Sequence, residues 1–427
     1  MTSRGAAFVV AVGLLAAASP LPPVRGQEPA VRMIADDGEG TKYWPRWRGP
    51  SGQGQVSGTG YPEAWSSTQN VAWKTQVPGS GNSSPVIWRD HIFLTTAYDG
   101  GRRLSLLAFR RSDGRLLWEA EAPPGATDRG AHNKNGYASA TPATDGERVY
   151  VSFGPRGLFA FDFGGKLVWR RDLGPIDPYH GAAGSPLLYR DRIILYQDQY
   201  AGSFIAAFDT RTGRELWRTR RSASVGWGTP IAVRVGDRDE VIVNGQQWVN
   251  AYDPATGREL WRCGGTTYET IPTPAVGYGL VFCPSGRAGT TLAIRPGGSG
   301  DVTRTHVTWT SPRGSPFVPS PILYGEQLYT LNDMASIVTA FQAATGRVLW
   351  QGRLGVAQRE GFSASPVAVD GKVFFTNDEG ETFVVRAGAA FELLRVNRLG
   401  ERTLASPALV EGRWYFRTDR NLWAIGQ

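Results

Sequence analysis

The feature that most constrains this chain is a short string that recurs along it. Ala251-Tyr-Asp-Pro-Ala-Thr-Gly-Arg-Glu-Leu-Trp261 is preceded by Ala207-Phe-Asp-Thr-Arg-Thr-Gly-Arg-Glu-Leu-Trp217, and weaker copies end at Trp118, Trp169 and Trp350. Each copy reads as two strands joined by a tight turn. In the first, Asp253 accepts hydrogen bonds from the turn amides, Pro254 fixes φ and Gly257 supplies the left-handed residue. A second marker, Ser or Thr before Pro, falls at Pro85, Pro142, Pro186, Pro230, Pro274, Pro321, Pro366 and Pro407, at intervals of 57, 44, 44, 44, 47, 45 and 41 residues. Two independent markers sharing a period of about 40–50 residues are the signature of a β-propeller with one four-stranded blade per repeat.

The last repeat stops early. From Ser406 to Gln427 there is room for three strands, and a spare fourth-strand pattern, Asn70-Val-Ala-Trp-Lys-Thr75, stands ahead of the first blade. Pairing the N- and C-terminal segments would close the ring and remove exposed sheet edges. The expectation is therefore an all-β, eight-bladed propeller of four-stranded antiparallel blades over residues 70–427, about 45 residues per blade. Trp73, Trp118, Trp169, Trp217, Trp261, Trp309 and Trp350 are expected to dock each blade on the next, the indole lying over the neighbour's Gly-containing turn and its N–H finding a carbonyl. Blade five carries a longer hairpin before Trp309, and in blade seven Leu394 stands where the indole is expected.

What precedes the repeats is of two kinds. Residues 1–26 read as a secretory signal peptide, with Arg4 as its charged region, an apolar run from Ala6 to Ala18 and a cleavage site before Gln27. Residues 27–69 form a leader without the blade period, holding Tyr43-Trp-Pro-Arg-Trp-Arg-Gly-Pro50. It is expected to be a strap whose indoles pack on the body and whose arginines point outward. With no cysteine near the cleavage point, the mature chain is expected to be exported to the periplasm or the exterior without a lipid anchor. Beyond the N-terminus no stretch approaches the roughly 20 apolar residues that span a bilayer.

Removing the signal lowers the formal charge from +8 by the two arginines it contains, Arg4 and Arg25. The remaining excess is mild and scattered, with no basic stripe interleaved with aromatics, which argues against nucleic acid as a partner. The two cysteines, Cys263 and Cys283, fall in consecutive blades. In an oxidising compartment both a disulfide and two buried thiols are compatible with that placement. The four histidines, His91, His132, His180 and His306, show no metal-ligand spacing, so no metal site is expected.

The Ala-x-Asp-x-x-Thr-Gly-x-x-x-Trp string resembles the repeat of the pyrroloquinoline-quinone (PQQ)-like propellers. Eight blades and an export signal are similar to the outer-membrane assembly factor BamB and its exported relatives. The resemblance spans about residues 43–427 and is specific for fold, much less for function. A BamB-like protein is implied to be a binding scaffold for outer-membrane protein biogenesis, with envelope proteins as partners and no cofactor. Such a scaffold is expected here to be non-catalytic and monomeric. A quinoprotein dehydrogenase would instead hold PQQ over Ca²⁺ in the central channel, with an Asp as base and often two adjacent cysteines. The cysteines here lie apart, and no set of acidic residues stands out as a calcium cage.

Because the repeated motifs hold structure, function is sought in what does not repeat. Residues just before each Ser/Thr-Pro pair should converge on one mouth of the channel, and these are Tyr137, His180, Trp227, Glu269, Phe317 and Glu360. A polar insertion in the first interval adds His132 and Asn135 to the same rim. Polar and aromatic groups around a cavity are the default binding hypothesis.

Overall fold

The computed structural model describes residues 31–286, 289–312, 314–357 and 361–426. The proposed signal peptide and Glu360 lie outside the described residues. Eight four-stranded antiparallel blades surround a channel, with the first strand of each blade at the axis, touching its neighbours, and the fourth at the rim. Blade three shows the plan: Leu187–Tyr189, Arg192–Gln197, Phe204–Asp209 and Glu215–Arg220, each strand pairing with the one before. Blade eight is the composite expected from the sequence. Ala408–Val410, Arg413–Arg417 and Asn421–Ile425 come from the C-terminal end, and Val71–Gln76 supplies the outer strand. The Gly426 N–H donates to the Asn70 carbonyl at 2.8 Å where the two ends meet.

The register explains the recurring Ala and Trp. In each regular blade the Ala that begins the string lies opposite the Trp that ends it, as in Ala207↔Trp217, Ala251↔Trp261 and Ala340↔Trp350. A bulge follows at once. The small residue leaves room for the indole, and the extra residue turns it toward the next blade. The same register corrects one assignment. In blade seven Val384 faces Arg395 and the bulged residue is Leu394, so Arg395 occupies the tryptophan position.

Six of the seven indoles reach the following blade, five over a glycine of its turn and Trp350 against Phe391. Trp73, Trp118, Trp169, Trp217, Trp309 and Trp350 each donate their N–H to a main-chain carbonyl of the following blade, at 2.9–3.1 Å. The fit depends on glycine: a Cβ at Gly257, where φ is +74°, would lie 2.4 Å from the Trp217 ring. Trp261 is the exception. Its indole N–H donates to the Glu240 carboxylate of its own blade at 2.7 Å, in a fully buried setting. The cause lies in blade five, whose longer hairpin carries strand Gly300–Asp301. That strand pairs in parallel with Trp261–Arg262, where other blades offer a glycine turn.

Cys263 and Cys283 share the core between blades four and five, and they are buried free thiols rather than a disulfide. Burial pushes both thiols upward, Cys263 to about 11. Neither lines the channel.

The leader closes one end of the channel. Val31–Met33 adds a strand to blade four, Trp44 exchanges main-chain hydrogen bonds with Ile87 of blade one, and Gly54 and Val56 bond Ala368 of blade seven. Trp65 packs against Trp414 and Phe416 of blade eight. The leader arginines, expected to point outward, turn inward instead. Arg46 is buried in an ion pair with Asp36 at 2.7 Å, and Arg48 is buried against the carbonyls of Gln53 and Pro321. The strap runs across eight converging strand ends, whose free carbonyls attract guanidinium donors.

Candidate functional site: the channel mouth

The leader seals one end of the channel, so the opposite end is the entrance to a cavity of about 210 Å³. Trp47 of the leader lines it, its indole N–H donating to the Thr273 hydroxyl at 3.1 Å. His132, Asn135, His180, Trp227, Glu269 and Phe317 line the cavity as well. The structure thus brings together six of the eight residues singled out in the sequence. Tyr137 does not reach it: its ring covers Gly101 and packs into the core between blades one and two. Glu360 falls outside the described residues.

The histidine side of the mouth is organised by the main chain of His180–Gly181. His180 has a left-handed φ of +70°, which turns its carbonyl toward the insertion. There it accepts from the His132 N–H at 3.2 Å and the Asn135 side-chain amide at 2.9 Å. The Gly181 carbonyl accepts from the same amide and from the Trp227 indole N–H at 2.9 Å. The rings of His132 and His180 lie 5.0 Å apart, and His180 stacks toward Trp227. Outside this cluster, Tyr179 and Tyr200 stand exposed on the rim.

The insertion of residues 122–135 reaches from blade three to blade seven. Its Lys134 ion-pairs with Asp378 at 2.7 Å and donates to Ser363 at 3.3 Å, while the Asn133 carbonyl accepts from Arg402. Buried Arg156 anchors the insertion through the carbonyls of Pro123 and Ala126. Asp333 lies behind Phe317, whose main-chain N–H donates to it at 2.8 Å. Burial raises the Asp333 carboxyl to about 6, and its second oxygen has no hydrogen-bond partner among the described residues. Sequence reasoning misses Lys134, Asp378 and Asp333, because nothing in their spacing sets them apart.

The Ser/Thr-Pro marker acquires a second meaning here. The Ser or Thr of all eight pairs lines the cavity: Ser84, Thr141, Ser185, Thr229, Thr273, Ser320, Ser365 and Ser406. Around the ring, the main-chain N–H of one donates to the hydroxyl oxygen of the next, beginning from Ser84 to Thr141 and closing from Ser406 to Ser84. Seven of the eight steps are hydrogen bonds of 2.9–3.3 Å. Only the step from Ser185 to Thr229 lacks one among the described residues. The hydroxyls form a hoop around the axis.

These lining residues do not fit a calcium-bound quinone. Ca²⁺ takes about six to eight oxygen ligands with several carboxylates among them, whereas Glu269 is the single carboxylate of the lining among the described residues. Among those residues no three or more His, Cys, Asp or Glu are grouped to hold a metal.

Eight blades, the docking tryptophans and the axial hoop define a PQQ-like β-propeller. The chain belongs to the family described as outer membrane protein assembly factor BamB, whose model matches residues 51–136, 108–352 and 334–427. The structure is similar to that of BamB from Moraxella catarrhalis, with a TM-score of 0.61, 15% identity, and 83% of this chain and 98% of that one covered. It is also similar to quinohemoprotein alcohol dehydrogenase from Comamonas testosteroni, with a TM-score of 0.63, 13% identity, and 91% and 81% covered. At these identities the likeness is one of fold. A curated relative, tetrathionate hydrolase of Acidithiobacillus ferrooxidans, is 23% identical over 313 residues, 73% of this chain and 53% of the relative. The chain thus spans about half the length of that relative.

Proposed function

We propose that this chain is an exported, non-catalytic binding propeller that recognises a partner at the open mouth of its channel. One observation carries the reading. The leader closes one end of the channel, and side chains from several blades converge on the other around a lining with a single carboxylate among the described residues. That is the geometry of a dead-end recognition pocket. Membership of the BamB family supports outer-membrane protein assembly as the role, with envelope proteins as partners. The signal-like N-terminus supports a periplasmic or extracellular location.

The test is affinity capture from the native envelope with wild type and with Trp227→Ala, each checked for an unchanged melting temperature. A partner retained by wild type and lost from the variant supports recognition at the mouth. Equal capture by both would remove the mouth from the reading. The quinoprotein alternative is tested separately, by adding PQQ and Ca²⁺ with an electron-accepting dye and alcohols or sugars. No turnover is expected, and clear dye reduction would overturn the non-catalytic assignment.

A further inference from the structure

We infer that the hydroxyl hoop is a binding site for an oxyanionic group, a carboxylate, sulfate or phosphate held on the channel axis. The inference rests on the mouth being the recognition site and names the chemistry that enters it.

Seven of the eight hoop hydroxyls use an oxygen lone pair to accept a main-chain N–H, and Thr229 accepts none, so the protons of all eight remain to be donated. Among the described residues none of these protons has a protein acceptor. A ring of O–H donors facing one cavity suits a ligand made of acceptors, and charge-assisted hydrogen bonds are the stronger ones.

Charge near the hoop favours an anion over a neutral ligand. Arg48 donates to the Pro321 carbonyl, next to Ser320, and Arg417 donates to Ser83, next to Ser84. Both guanidinium groups are buried, neither has an ion-pair partner among the described residues, and each keeps one nitrogen without a hydrogen bond. Burial lowers both to about 9, which leaves them charged at neutral pH. Uncompensated buried charge is costly, and an anion nearby offsets that cost. Of the acids near the cavity, Asp378 is paired with Lys134, and Asp333, raised to about 6, sits behind Phe317 rather than on the described lining. Glu269 stands at the mouth as the remaining carboxylate of the described lining.

Thr229 permits a clean experiment, because its hydroxyl accepts no N–H from Ser185. Thr229→Val therefore deletes one donor and no hydrogen bond between blades. Tryptophan fluorescence, with Trp47 and Trp227 as reporters, would follow titration with sulfate, phosphate and succinate, with peptides bearing free or amidated C-termini, and with maltose. Saturable binding of an anion is expected, with affinity about tenfold lower in Thr229→Val and no change in melting temperature. Preference for the free-acid peptide over its amide assigns the oxyanion to a partner's C-terminus; equal or tighter binding of the free ions assigns it to a small solute. Binding of maltose alone, no binding at all, or unchanged affinity in the variant would overturn the inference. If no anion binds while envelope capture still depends on Trp227, the oxyanion assignment falls and the mouth reading stands. Anion binding without any captured partner would uphold the hoop as an oxyanion site and remove the protein partner from the mouth.

Discussion

The rim and the axis of this propeller handle polar groups in opposite ways. At the rim every docking indole finds an acceptor, and the buried Glu240 carboxylate is met by both Trp261 and Arg238. At the axis Asp333, Asp378, Arg48 and Arg417 each keep a polar atom with no hydrogen-bond partner among the described residues. The rim arrangement repeats because any blade must close on any neighbour. The hydroxyl hoop aside, the axial groups do not repeat, and their unsatisfied atoms cost free energy. The difference separates what maintains the ring from what the ring presents.

The largest expected effect lies at the rim, where one clasp departs from the others. Trp261→Phe would leave a Glu240 oxygen buried without the indole donor, and removing one partner of a buried charged group costs about 3 kcal/mol. Trp217→Phe breaks only a bond to the Pro254 carbonyl beside a half-buried ring and should cost about 1 kcal/mol. Urea unfolding of the two variants measures the gap. Equal losses would mean that Glu240 is satisfied without the indole, and the rim would lose its one distinct joint.

The rim is readable in the sequence because it is periodic. Two markers sharing a period define eight blades and the composite blade, and place six of seven indoles on their acceptors. Trp261 escapes this reasoning because its string is a perfect copy; what differs is the partner hairpin in blade five, which a motif scan does not weigh. The motif alone puts Leu394 at the tryptophan position because the bulge shifts the register by one residue, a shift invisible without the opposing strand. At the axis, proximity to the Ser/Thr-Pro prolines locates the mouth and brings six residues to one cavity. It fails for Tyr137, whose side chain turns into the core. Lys134 and Asp378 are 244 positions apart and meet only because the ring closes. The hoop is visible as a spacing, but its hydroxyls acquire a chemical role only through their hydrogen bonds.

The next effect tests the axis through pH. Burial raises the Asp333 carboxyl from 3.8 to about 6, so the folded state binds this proton more tightly than the unfolded chain does. Its contribution favours folding below about pH 4, declines as pH rises, and is fully a penalty above about pH 6. Two units correspond to about 2–3 kcal/mol. Asp333→Asn keeps an oxygen for the Phe317 N–H and removes the titration. It should therefore be about 2 kcal/mol more stable than wild type at pH 7 and equal to it near pH 4. A difference that stays constant across this range would show that Asp333 does not carry the strain assigned to the axis.

The smallest effect returns to the rim, at the one joint without an indole. Arg395→Trp restores the repeat's consensus residue at the position facing Val384. On repeat logic alone it should stabilise as strongly as the other clasps. The neighbouring blade is the composite one, however, and its third and fourth strands belong to opposite ends of the chain. No glycine turn joins them, so an indole there has neither a shelf to cover nor a turn carbonyl to reach. The exposed substitution should change stability by no more than about 0.5 kcal/mol. Measured unfolding that shows a gain above about 1 kcal/mol would mean the seam between Asn70 and Gly426 presents a docking surface after all. The absence of tryptophan in blade seven would then reflect something other than the missing turn.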